Sequence, residues 1–156
     1  VCELVAKRTV YSTTYLLSNG HSRLVLSQKS VHFRDKKGDW QNVETAFRAT
    51  DVEGEFAASS APVVVQVREG NGKAPVTITA GDHTVGLDLV GCIESAKSVN
   101  GDTARFSQVA KDTDVSYTAT GDGVKEVLTL GSSVAPNTFV YEVTHPVLEM
   151  RRRDLG

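Results

Sequence analysis

Thr113-Asp114-Val115-Ser116-Tyr117-Thr118-Ala119-Thr120-Gly121-Asp122-Gly123-Val124-Lys125-Glu126-Val127-Leu128-Thr129-Leu130 is the stretch whose reading decides the fold. It divides into two strands, Val115 to Ala119 and Val124 to Leu130, joined at Thr120-Gly121-Asp122-Gly123. The glycines of that tetrad can take the positive φ that tight hairpin turns require. In the second strand Val124, Glu126, Leu128 and Leu130 point one way, and Lys125, Val127 and Thr129 the other. One face is therefore aliphatic except for a single carboxylate. Glu126 is expected either near a sheet edge or opposite a basic side chain, since structural pairings of carboxylates far outnumber catalytic ones.

The same texture extends outward in both directions. Lys7 to Leu17 is rich in β-branched and aromatic residues, which favours a strand. Ser18-Asn19-Gly20-His21 turns the chain, and short strands are predicted at Leu24 to Leu26 and Ser30 to Phe33. Asp35-Lys36-Lys37-Gly38-Asp39 is a charged turn leading into Trp40-Gln41-Asn42-Val43. Residues 46–61, with Ala, Ser, Glu and Gly and only scattered apolar groups, read as an irregular loop, long enough that a short element or real mobility is expected inside it.

Strand character resumes from Pro62 to Val67, then at Val76 to Thr79 and at Val85 to Leu89, with a hairpin signal at Glu69-Gly70-Asn71-Gly72. Ala104 to Val109 reads as a strand with Phe106 and Gln108 on one face, and Thr138 to Thr144 alternates until His145-Pro146 interrupts it. The total is about eleven or twelve short strands with no sustained helical period. The fold class is all-β, an antiparallel sandwich or barrel-like domain. With 156 residues the chain is expected to form a single domain over 1–156, or a piece of a larger β-rich region.

Seventeen Lys and Arg against nineteen Asp and Glu give a net charge of −2, so no global field draws the chain to nucleic acid or to anionic membrane. No apolar run approaches the roughly 18 residues of a membrane helix. The start of the chain has no basic-then-apolar pattern. Cys2 and Cys92 show no metal-ligand spacing, and whether they are bonded to each other is left open. His21, His32, His83 and His145 lack the spacings of metal sites, and neither a GxSxG elbow nor a Gly-rich strand-to-helix turn is present. No cofactor and no catalytic residue are therefore assigned. Asp112, Asp114 and Asp122 are oxygen donors on turns, a set that could serve calcium but more commonly forms the turns themselves.

Candidate contact residues are Trp40, Tyr11 and Tyr15, as exposed aromatics, and the basic cluster Arg151, Arg152 and Arg153, which could meet an acidic partner or form a solvated tail. Trp40 reads primarily as a plug over one end of the core. With only 6% aromatic residues, few remain for stacking on a glycan once a core is filled.

Several short motifs fit one pattern. They are Arg8-Thr9 with Ser12 and Tyr15, Asn19-Gly20, Val31-His32-Phe33-Arg34-Asp35 with Gly38-Asp39-Trp40, Val85 to Gly91, Thr113-Asp114-Val115 with Tyr117, and Gly123-Val124-Lys125-Glu126 running into Val127 to Leu130. Together they resemble the β-rich N-terminal region of large exported bacterial proteins carrying DNRLRE modules and Rhs/YD repeats. The likeness is spread over residues 7–143, and Asn19-Gly20-His21-Ser22 departs from the more usual Asp-Gly-Thr turn. The resemblance implies a secreted or cell-surface, non-enzymatic structural or interaction module that packs against neighbouring modules or a protein partner. It brings no catalytic residues with it. In such regions the chain continues for further strands, which implies an open edge near Thr138 to Met150 where another strand could add. A carbohydrate-binding sandwich and part of a self-processing toxin or hydrolase precursor are the alternatives.

Overall fold

The computed structural model describes residues 1–68, 76–93 and 96–145. In chain order its strands are β1 (Cys2–Glu3), β2 (Ser12–Leu16), β3 (Ser22–Leu26), β4 (His32–Arg34), β5 (Trp40–Asn42), β6 (Arg48–Ala49), β7 (Glu55–Ala58) and β8 (Val63–Arg68). They continue with β9 (Val76–Ala80), β10 (His83–Leu89), β11 (Ala96–Asn100), β12 (Thr103–Ala110), β13 (Thr113–Ala119), β14 (Val124–Leu130) and β15 (Tyr141–Thr144). A 3-10 turn, Val5–Lys7, lies between β1 and β2. All pairings are antiparallel, as expected for an all-β chain.

Two sheets enclose the core. A six-stranded sheet of order β15-β10-β9-β8-β7-β6 supplies Ala58, Val65, Val67, Val76 and Leu89, and a four-stranded sheet of order β11-β12-β13-β14 supplies Ala104, Phe106, Val109, Val115, Tyr117 and Ala119. These residues form one buried cluster, in which Phe106 and Tyr117 meet edge to face at 6.1 Å. Among the described residues the arrangement is a sandwich with no barrel closure. On β13 burial alternates without exception from Thr113 to Ala119, which is what period-two patterning demands of a strand with one face on a core.

At each side of the sandwich a side chain bridges the sheets. On one, the Tyr141 hydroxyl of β15 donates to Glu126 Oε1 of β14 at 2.6 Å. On the other, Lys97 of β11 donates to the Gly54 carbonyl before β7, its ammonium 4.5 Å from the centroid of the Phe56 ring.

The irregular stretch 46–61 proves to hold the β6–β7 hairpin, with Arg48 opposite Ala57 and Ala49 opposite Phe56. Its residues have poor strand propensity, but β7 is placed by pairing with β8 and by burial of Ala57 and Ala58. The hairpin and β1 bring the number of described strands to fifteen.

Gln108 does not share the inward face of Phe106. Phe106 pairs with Val115 and Ala110 with Thr113, so Ser107, Gln108 and Val109 stand against the single residue Asp114. This β-bulge exposes Gln108 at a φ of 58° and turns Val109 into the core. Asp114 holds the bulge by accepting the Gln108 amide at 2.7 Å and the Arg105 guanidinium. These donors, Arg105 foremost, hold the Asp114 carboxyl below its usual range. Its contribution to stability is therefore complete above the ordinary Asp value and is lost as pH falls through the depressed folded value. Asp114→Ala is expected to cost about 1–3 kcal/mol at neutral pH. In urea titrations the difference from wild type should shrink as the pH drops below about 4.

Residues 1–45 lie outside this sandwich in two small sheets, β1-β2-β3 and β4-β5. They reach the sandwich at the turn between β13 and β14 and at the connection between β7 and β8. Ser30 Oγ donates to Asp122 Oδ1 at 2.6 Å, the Glu44 amide donates to the Ser60 carbonyl at 2.7 Å, and Val43 packs on Gly121. Of the two turn glycines only Gly121 has positive φ, at +83°.

Candidate interaction surface

The β1-β2-β3 sheet leaves β3 at an edge with every residue exposed. The sequence Ser22-Arg23-Leu24-Val25-Leu26 explains why that is unusual. Three consecutive aliphatics normally signal a strand covered on both faces, yet Leu24, Val25 and Leu26 are 58%, 44% and 74% exposed. The register sets Leu24 opposite Thr14, Leu26 opposite Ser12 and Ser22 opposite Leu16. Leu16 is itself exposed, so one face of the sheet carries the exposed Leu16, Leu24 and Leu26 around Ser12 and Thr14, which are polar and buried.

The backbone of β3 adds a second element. The Leu17 amide donates to the His21 carbonyl and the Ser27 amide to the Tyr11 carbonyl, both at 2.8 Å. Hydrogen-bonded pairs alternate along an antiparallel ladder, so Arg23 and Val25 also point their amides and carbonyls at β2. Ser22, Leu24 and Leu26 direct theirs to the free edge. A row of outward amides beside exposed aliphatics is the arrangement that accepts another strand.

The opposite face carries the exposed Val25 and the half-buried Tyr15 beside a set of paired polar groups. Arg8 grips Glu3 through two bonds, 2.6 Å from Nε and 2.9 Å from Nη2, and the Glu3 carboxyl is held below its usual range mainly by that contact. His32 is buried, its Nδ1 3.0 Å from the Thr9 carbonyl and its Nε2 3.7 Å from Glu3. Both nitrogens therefore face acceptors rather than a hydroxyl or thiol nucleophile.

The aromatic candidates lie in this N-terminal part. Trp40 is half-buried on β5, edge-on to His32 at 6.3 Å, with the Arg34 guanidinium 4.3 Å from its ring centroid. It packs within its own small sheet and does not plug the sandwich core, whose members do not include it. Tyr15 has Arg23 5.4 Å from its ring centroid, and Tyr11 is 52% exposed. Arg151, Arg152 and Arg153, like residues 146–150 of the expected open edge and the hairpin signal at 69–72, lie outside the described residues. The described part of that edge, residues 138–145, holds β15, which flanks the six-stranded sheet; it carries the charged Glu142 and two exposed large aliphatics, Val140 and Val143.

Glu126 lies on β14, the edge strand of its sheet, faces inward, and meets Tyr141 and Tyr117 rather than a basic side chain. Asp112, Asp114 and Asp122 are separately engaged, by Ser132, by Arg105 with Gln108, and by Ser30. Among the described residues no group of His, Cys, Asp and Glu is arranged to hold a metal ion. Cys2 and Cys92 are not joined in a disulfide. No described helix is long and apolar enough to cross a membrane. The chain matches no protein-family model, no curated protein and no solved structure.

Proposed function

We propose that the chain is a non-catalytic structural and interaction module that packs against a neighbouring module or a protein partner through the β3 edge. The observation that carries this is the exposure of Leu24, Val25 and Leu26, at 58%, 44% and 74%, on a strand whose outer amides are unclaimed by its own sheet. Its placement in an exported bacterial protein, secreted or at the cell surface and of the Rhs/YD-repeat or wall-associated type, rests on the sequence resemblance alone.

A carbohydrate-binding role has less support, because Arg34 and Arg23 sit over the rings of Trp40 and Tyr15 that would stack on a sugar. A self-processing role has less again, given the contacts of His32.

The double variant Leu24→Lys/Leu26→Lys tests the proposal. Both side chains are exposed, so its urea midpoint should stay close to wild type, within about 0.5 kcal/mol of stability per site. Sedimentation of the wild-type chain should show reversible association that grows with concentration, and the variant should stay monomeric. Wild type and variant sedimenting identically would count against β3 as the interaction surface.

A further inference from the structure

The charges around β3 narrow the kind of strand it takes. From Leu4 to Arg34 the chain holds no aspartate or glutamate, although the whole chain carries a net charge of −2. Within that stretch Arg8 is neutralised by Glu3, but Lys7, Arg23 and Lys29 are exposed and, among the described residues, paired with no carboxylate. In the sandwich, by contrast, Arg68 meets Glu55 and Arg105 meets Asp114. Arg23 is the one charged residue of β3 itself.

Arg23 stands across from Tyr15 on β2, its guanidinium 5.4 Å from the ring centroid. That contact engages the cation but none of its N–H groups, and among the described residues the Arg23 side chain makes no hydrogen bond. A strand added to the edge places one residue directly across from Arg23 on the same face, at a Cβ separation of about 5 Å. A second copy, paired antiparallel about Leu24, places Val25 there and sets the two Arg23 side chains diagonally beside each other, like charge near like. Self-pairing is therefore the weaker use of this edge, and a carboxylate across from Arg23 the stronger.

We propose that the β3 edge takes an acidic extended segment of a protein partner, aliphatic across from Leu24, Val25 and Leu26 and carrying a carboxylate across from Arg23. This rests on the reading of β3 as the interaction edge and adds what that edge selects. Two blocked heptapeptides serve as probes, Ser-Leu-Val-Leu-Glu-Ser-Ser and the same sequence with Arg in place of Glu. In an antiparallel pairing the central Leu lies across from Leu24 and the fifth residue across from Arg23. At about 0.01 M ionic strength the Glu peptide should protect the Leu24 and Leu26 amides from exchange at roughly one fifth of the concentration that the Arg peptide needs. At about 1 M salt, where the Debye length falls to about 3 Å, the two should act within about twofold of each other.

Arg23→Glu alters an exposed side chain, so the fold should hold, and it should reverse the preference in favour of the Arg peptide. Equal potency of the two peptides at low salt, a stronger Arg peptide, or a Glu preference that survives Arg23→Glu overturns the acidic partner while leaving β3 as the edge. So does self-association of the chain tighter than its binding of the Glu peptide, which would make a second copy the occupant. Protection of Leu24 and Leu26 by neither peptide would instead refute the interaction edge itself, and this proposal with it.

Discussion

Replacing Gly121 with alanine is expected to destabilise the protein by about 2–4 kcal/mol, the sum of a left-handed backbone imposed on an L-residue and an overpacked contact. Gly121 sits at φ +83°, and a Cβ built on it would lie 2.9 Å from Val43 Cγ1. The turn between β13 and β14 is thus more than a connection, because it seats the small N-terminal sheets on the sandwich. Gly123, two residues on, is the internal control: its φ is not left-handed and its Cβ would meet nothing within 4 Å. Gly123→Ala should be neutral or gain up to about 1 kcal/mol by restricting the unfolded chain. Urea midpoints at an unchanged m value would measure both. Adding Val43→Ala to Gly121→Ala should relieve the steric part and leave the backbone part. Equal losses at Gly121 and Gly123 would show that the seam with Val43 is not where the strain arises.

The second large effect is expected in alkali. Tyr117 is buried at 1% exposure, and burial, reinforced by the nearby Glu126 carboxylate, pushes its hydroxyl well above the ordinary tyrosine value. Tyr141 is raised for the same two reasons, less completely shielded from water. A group whose folded value is raised keeps its full contribution below the unfolded value and loses it as pH rises. Stability should therefore be flat with respect to these two groups up to about pH 10, then fall by about 1.4 kcal/mol per pH unit from Tyr117 alone. Tyr141 adds a smaller slope. Urea titrations between pH 9 and about 11.5 would follow the decline, and Tyr117→Phe should make the alkaline limb shallower. A limb of unchanged slope in Tyr117→Phe would mean that other groups drive alkaline unfolding. At neutral pH, Tyr141→Phe should cost about 1–2 kcal/mol, because it breaks the bond to Glu126 that joins the two sheets at one side.

Much of this architecture was legible in the sequence because alternation reports directly on a half-buried strand. The pattern from Thr113 to Leu130 reads as the hairpin that the structure contains, with Val124, Glu126 and Leu128 turned inward. What escaped the sequence was set by long-range pairing. Apart from Phe56, the β6–β7 hairpin is built from Arg, Ala and Glu residues with little strand preference of their own, and β8 supplies the template. Gln108 breaks the alternation of β12 because Asp114, on the next strand, captures its amide, a contact that local spacing does not encode.

The interaction surface was harder still. Leu24 to Leu26 reads correctly as a strand, but an aliphatic run gives the same signal whether neighbours cover it or leave it bare. Its place at the edge of β1-β2-β3 is a property of topology. The aromatic candidates were found as residues but not as environments: Arg34 over Trp40 and Arg23 over Tyr15 turn two expected contact groups into packed ones.

Amide hydrogen exchange along β3 tests most directly whether this edge takes up another strand. In dilute solution the outward amides of Leu24 and Leu26 should exchange quickly, and those of Arg23 and Val25, bonded to β2, slowly. Addition of a synthetic peptide with the sequence of residues 21–27, as a surrogate apolar strand, should protect Leu24 and Leu26 and leave the core amides of β13 unchanged. Exchange at Leu24 and Leu26 that is already slow in the dilute chain, or that no concentration of the peptide retards, would contradict the assignment of β3 as the interaction edge.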